Sequence, residues 1–271
     1  MRINTNVSAL NTHRILTQTN EAVAGSIGRL SSGYKINSAR DNAAGLAIAN
    51  RFRADIRSLQ VAQQNTTEAN SMLQVAEGNA STIGDILTRM KELATQAASY
   101  NADSQTDKLQ QEFDYLVEEI DRIVGSAKYQ GVALLDGQFS GTFQIGATDD
   151  ANDRLEIGLD QSLEADALGV DGLSLDSGSG AQAALQVLDS AIDTVSEFLG
   201  TIGATQNRLE YASNNIATTI ENYSASESAI RDADMAYEMV HFTRNQIMQQ
   251  ASTAMLAQAN FMPQSVLQLL G

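Results

Sequence analysis

Two histidines, His13 and His241, are the only imidazoles in a chain of 271 residues that has no cysteine. Histidine is the side chain best placed for acid–base work near neutral pH. Neither one stands in an H-E-x-x-H arrangement, where two imidazoles one helical turn apart would share a zinc ion beside a glutamate base. The chain has no G-x-x-x-x-G-K-S/T run to cradle a phosphate and no G-x-S-x-G elbow to present a nucleophilic serine. Without cysteine there is no thiol catalysis, no disulfide and no thiolate metal site. Acidic residues gather at Asp149, Asp150 and Asp153, in "DDANDRLEIGLD". That stretch lacks the alternating oxygen ligands and the glycine of an EF-hand loop, so it reads as a solvated loop. No catalytic, cofactor-binding or metal-binding residue is expected.

The chemistry left is that of surfaces. Residues 245–271, "NQIMQQASTAMLAQANFMPQSVLQLLG", contain no charged side chain and no histidine, although the whole chain has a formal net charge of −16. Ten large apolar side chains fall in this tail: Ile247, Met248, Met255, Leu256, Phe261, Met262, Val266, Leu267, Leu269 and Leu270. Glutamine, asparagine, serine and threonine interrupt them, so no stretch reaches the 18 apolar residues of a membrane span. Net −16 argues against a nucleic-acid partner, which needs a basic face. The first twenty residues carry no apolar run ending in a small-residue cleavage site, so no standard secretory signal is expected.

Heptad spacing of apolar residues is the main structural signal. Leu73, Ala76, Ala80, Ile83, Leu87, Met90, Ala94 and Ala97 step by three and four without a break, with Ile48, Phe52, Ile56 and Leu59 upstream. One helix over 43–99 would run about 85 Å. Leu109, Phe113, Leu116, Ile120 and Ile123 predict a second helix over 105–125, with Ser104 as a capping residue and Gly125 as the stop. Residues 130–180 change character. They are rich in Gly, Asp and Ser, and "TFQIG" and "RLEIGL" alternate as half-buried strands do. Heptads return from Leu185 to Tyr223, with Gln206 and Ser213 in two seam positions.

The last segment carries two apolar stripes. One runs from Ile230 through Tyr237, Val240 and Ile247 to Phe261; the other is Met248, Met255 and Met262, each seven apart. A helix apolar on two sides needs cover on two sides. The N-terminal arm has weaker stripes, Ile3, Val7 and Leu10, then Val23, Ile27 and Leu30. It can cover one of those sides. Both ends are therefore expected to stay disordered in a free subunit and to fold when other copies cover the second side. Few aromatics and a single proline fit long helices. The expected fold is mainly α, a long antiparallel helical coiled-coil bundle with a small β-hairpin region. Paired terminal arms are expected over 1–42 and 226–271. A core helical domain is expected over 43–225, with the hairpin and loops at about 130–180.

"LSSGYKINSARDNAAGLAIANRF" (30–52), "IRDADMAYEMVHFTRNQIMQQASTAMLAQAN" (230–260) and "PQSVLQLL" (263–270) resemble the two signature ends of bacterial flagellin. The likeness covers about residues 1–135 and 185–271, and the large variable outer domains of longer family members have no counterpart. The resemblance implies a subunit exported unfolded through the flagellar type III apparatus, with an export chaperone on its C-terminal helix. It implies assembly beneath a filament cap, next to hook-junction proteins, into an extracellular homopolymer for swimming. The paired termini would line its channel. Apart from the resemblance, Arg40, Asp41, Asn42 and Gly45 lie at the junction of arm and long helix, where Arg40 and Asp41 are expected to pair with each other or to contact a neighbouring subunit. "LTRMKELATQA" (87–97) resembles the flagellin segment recognised by the host Toll-like receptor, with Arg89, Leu93 and Gln96 matching and Glu112 as the acidic partner on the next helix. The leucine-rich end resembles the part sensed by cytosolic host receptors. Two alternatives stay open: a hook–filament junction protein, and a helical module that binds a host receptor.

Overall fold

The structure is a computed structural model. It describes residues 5–99 and 106–270, with side chains as far as Met262. Ile3 and the capping residue Ser104 lie outside the described residues, as do the side chains of Val266, Leu267, Leu269 and Leu270. Helices dominate: α1 (Val7–Ser32), α2 (Ala43–Ala97), α3 (Thr106–Ser126), α4 (Gly178–Arg231) and α5 (Met235–Leu270). Between α3 and α4 lie two small antiparallel hairpins, β1 (Lys128–Tyr129) with β2 (Val132–Ala133), and β3 (Phe139–Gln144) with β4 (Arg154–Leu159). The chain forms two compact units, Met1–Ile56 with Glu221–Gly271, and Arg57–Ile220. The long helices α2 and α4 contribute residues to both, which is why the limits fall inside helices rather than in loops.

The Arg57–Ile220 unit follows the heptads. From Leu73 to Ala97 every residue of the α2 stripe is buried. Phe113, Ile120 and Ile123 of α3 join the same core, as do Leu188, Val195, Phe198 and Ile202 of α4. Full burial of a Leu, Ile or Phe side chain is worth about 1.5–3 kcal/mol, so this seam is the source of the unit's stability. Polar contacts at its edge fix the antiparallel register of α2 and α4: Gln206 donates to Glu77 at 2.9 Å, and Lys91 pairs with Asp189.

Within the loops expected over 130–180, the segment 160–177 is not a surface connection. It has little regular structure, yet Leu163, Ala165, Leu168, Val170 and Leu175 are all buried. Side chains of α3 supply the hydrogen bonds that a helix or sheet would otherwise provide. Asp121 accepts from the Ala165 N–H at 2.9 Å; Gln110 accepts from the Leu175 N–H at 2.6 Å and donates to the Leu173 carbonyl at 3.1 Å. Without a period of 2 or 3.6, those apolar residues carry no pattern that marks them as core.

β3 and β4 pair in register from Phe139↔Leu159 to Gln144↔Arg154. Leu155, Ile157 and Leu159 point into the core, the alternation expected of a half-buried strand. Gly137 enters this hairpin with φ +72°, and an added Cβ would stand 2.6 Å from the backbone N of Ser162. Gly137→Ala is expected to cost about 1–2 kcal/mol for the left-handed backbone alone, before the displacement of 162. The readout is a lower urea midpoint for the unit with the slope unchanged.

Candidate functional site

The terminal helices α1 and α5 lie antiparallel, and three polar contacts set their register. Asn6 donates to the Ala259 carbonyl at 2.8 Å, Gln249 donates to the Asn20 side-chain oxygen at 2.8 Å, and Arg29 pairs with Glu238 at 2.9 Å. Asn6 also caps α1 by accepting from the Ala9 N–H at 3.0 Å, and Gly33 ends α1 in the left-handed conformation at φ 74°. Asp234 caps α5, accepting from the N–H groups of Ala236 and Tyr237.

The side chains that lose exposure in this pair are mostly small or polar. On α1 they are Ala9, Thr12, Leu16, Thr19, Val23, Ser26 and Leu30; on α5 they are Glu238, Phe242, Asn245, Gln249, Ser252, Leu256 and Ala259. Both series step by three and four, as a coiled-coil seam does. Of the expected assembly residues, only Val23, Leu30 and Leu256 lie on it. Val7, Leu10 and Ile27 of α1 are exposed, and so are Ile247, Met248, Met255, Phe261 and Met262 of α5. Tyr237 and Val240, on the first predicted stripe, are 64% and 67% exposed. So the seam that closes the pair is mixed, with Leu16, Val23, Leu30, Phe242 and Leu256 among small and polar side chains, and both apolar stripes of α5 face outward. A contiguous exposed apolar surface of this kind marks an interaction site.

The Arg29–Glu238 pair sits on the seam, with Glu238 nearly covered. The hydrogen bond from Arg29 holds the Glu238 carboxyl below its ordinary 4.5, against the opposing effect of burial. A carboxyl with a depressed pKa contributes stability that is fully present above 4.5 and is lost as the pH falls through the lower folded value. Heat resistance of the paired arms in the assembled protein should therefore drop on acidification below 4.5. Glu238→Gln should lower it at neutral pH and flatten that part of the acid profile, read as the dissociation temperature against pH.

The junction expected at Arg40–Asn42 and Gly45 is a local turn and cap. Asp41 accepts from the Asn37 and Ser38 N–H groups at 3.1 and 2.8 Å and from the Ser38 hydroxyl, contacts that lower its pKa. Asn42 caps α2 by accepting from the Gly45 N–H at 2.9 Å. Gly45 is buried against Ile36, where a Cβ would come within 2.8 Å. Arg40 is exposed and makes no ion pair with Asp41 among the described residues. The residue that sequence reasoning missed is Arg231. It is 9% exposed, stacks 4.0 Å over the Tyr34 ring and donates toward the Ile36 carbonyl. Backbone bonds from Lys35 to Arg231 and from Ala233 to Gly33 clasp the two connections together. An arginine beside two aspartates in "IRDAD" reads as a surface charge, and nothing in that spacing marks its tyrosine partner.

Of the residues matched to host recognition, Arg89, Gln96 and Glu112 are exposed. Arg89 donates to Glu112 at 2.7 and 3.1 Å and to Glu92 at 2.9 Å. Leu93 does not join them. At 1% exposed it belongs to the core of the Arg57–Ile220 unit, because it follows Met90 by three on the buried face of α2.

Among the described residues no three His, Asp or Glu converge as a metal site, and no helix is long and apolar enough to cross a membrane. The reactive features are uncovered helix faces, which define a helical protein built for association. Comparison with known proteins gives the family. The model of the bacterial flagellin N-terminal helical region matches residues 3–140, and that of the C-terminal helical region matches 185–270. The flagellar filament 30.7 kDa core protein of Treponema maltophilum is 41% identical and the flagellin of Bacillus subtilis 40% identical, each alignment covering both chains in full. The crystal structure of Bacillus cereus flagellin is 31% identical, with a TM-score of 0.49 over 56% of this chain and 88% of that one. This chain belongs to the bacterial flagellins, a family of structural proteins.

Proposed function

We propose that this chain is the structural subunit of an extracellular bacterial flagellar filament, a homopolymer that converts motor torque to thrust, and that it is not an enzyme. The observation that carries this reading is the outward placement of both apolar stripes of α5, which the α1–α5 seam leaves uncovered. The seam buries its five large apolar side chains only in part, and the exposed stripes of α5 gain burial from other copies of the chain. The filament-core and flagellin names of the relatives support the same reading.

The domain reading follows from it: terminal arms form the inner layer, and the helical core with its hairpins forms the next. Type III export, an export chaperone on α5, the filament cap and the hook-junction proteins are the partners this reading calls for. An uncovered apolar helix needs a groove to hold it before assembly. Host recognition is assigned to Arg89, Gln96 and Glu112 on the exposed faces of α2 and α3, with Leu93 acting only through the core.

Electron microscopy of the purified chain, seeded with fragments of its own polymer, tests this. Long helical filaments are expected. Short rings or no polymer would favour the junction-protein alternative instead.

A further inference from the structure

The chain has eight methionines and no cysteine, so methionine holds all of its sulfur. Seven of them lie among the described residues, and these divide sharply. Met72 and Met90, in the Arg57–Ile220 unit, are 3% and 0% exposed, whereas the five methionines of α5 are 46–62% exposed. Met248 and Met255 share one stripe, with Ile247 alongside. An unbranched thioether adapts to irregular neighbours, which suits a face that packs against other copies. It also leaves the sulfur open to two-electron oxidants for as long as the face is bare.

We propose that Met248 and Met255 form an oxidation site through which peroxide-class oxidants stop a free subunit from joining the polymer, and that assembly itself closes the site. The proposal rests on the assembly reading above. In the step, a sulfur lone pair attacks one oxygen of hydrogen peroxide and the O–O bond breaks. The S–O bond forms, and the released hydroxide takes up the peroxide proton and leaves as water. Sulfur loses two electrons and peroxide gains them. The product is a polar, chiral sulfoxide where the assembly face needs an apolar thioether, so an oxidised subunit carries a polar group into a dry contact.

The test uses the full chain. Dispersed subunits and intact polymer are exposed to hydrogen peroxide, quenched, and mapped by peptide mass spectrometry. The subunits are then added to untreated polymer seeds, and elongation is followed by light scattering. Sulfoxide is expected at Met248 and Met255 in subunits and about tenfold less in polymer, with Met72 and Met90 unmodified in both. Oxidised subunits should elongate at least about tenfold more slowly. Met248→Leu with Met255→Leu should keep its rate after the same treatment, and methionine sulfoxide reductases should restore the native chain. Undiminished elongation by oxidised native subunits, or equal loss in the double leucine variant, overturns the proposal. If the leucine variant elongates poorly before treatment, the reductase arm decides: regained elongation as those two peptides lose their added oxygen supports the proposal, and none refutes it. Failure of untreated native subunits to elongate on seeds instead strikes the assembly reading itself.

Discussion

Val240→Asp combined with Ile247→Asp abolishes self-assembly and leaves the Arg57–Ile220 unit folded. Both side chains lie on the outward apolar stripe of α5, 67% and 61% exposed, and neither belongs to the seam with α1. In an isolated chain, aspartate at such positions is solvated and costs only a helix-propensity term of a few tenths of a kcal/mol. In the polymer each would be a carboxylate in an apolar contact, losing about 1.5–3 kcal/mol of burial and adding the cost of desolvating a charge. The combined loss exceeds about 3 kcal/mol, so the critical concentration for assembly should rise by more than about a hundredfold. The measurement is sedimentation of polymer against total protein, with circular dichroism to follow the urea transition of the helical core. An unchanged critical concentration would place the assembly contact elsewhere.

The second large effect is the opposite in kind. Phe113→Ala removes one of the largest fully buried side chains of the core, at 1% exposed on α3. Truncations of this type cost about 3–5 kcal/mol, because the cavity left behind relaxes only in part. In a unit of this size that corresponds to a fall in melting temperature of roughly 6–20 °C. The variant carries no change on α1 or α5, so below its melting point it should still add to polymer seeds. Calorimetry of the dispersed chain together with the sedimentation assay separates the two substitutions. One spares the core and blocks assembly; the other weakens the core and spares the assembly face. A loss of assembly in the Phe113 variant at a temperature where its core is folded would break that separation.

Much of the core was legible in the sequence, because burial there follows one period. The α2 stripe from Leu73 to Ala97 is apolar at every third and fourth position, and the same residues are buried. "RLEIGL" alternates, and β4 does so in space. The terminal pair was legible only in part. Periodicity marks residues that need cover without saying what covers them. On α5 the strongest apolar stripes face away from the helix that pairs with it, while Asn245, Gln249 and Ser252 take the inner positions. The signal that could have revealed this was present: Ala9, Thr12, Leu16, Thr19, Val23, Ser26 and Leu30 keep heptad spacing, with Leu16, Val23 and Leu30 seven apart and small or polar residues between them. A search for apolar repeats finds Val23 and Leu30 but passes over the small and polar positions between. Leu93 shows the same limit from the other side, since likeness of sequence aligned it with two exposed neighbours while the helix turns it inward. The Arg231–Tyr34 stack and the buried residues of 160–177 depend on tertiary contacts that no local pattern encodes.

The central claim is that other copies of the chain cover the outward stripes of α5. Amide hydrogen exchange along α5, compared between dilute subunits and assembled polymer, tests it most directly. Protection across residues 235–262 should be slight in the dilute chain and should rise by about a hundredfold or more on assembly, while the α2 core around Leu87 is protected in both. Full protection of α5 in the dilute chain, unchanged in the polymer, would contradict it.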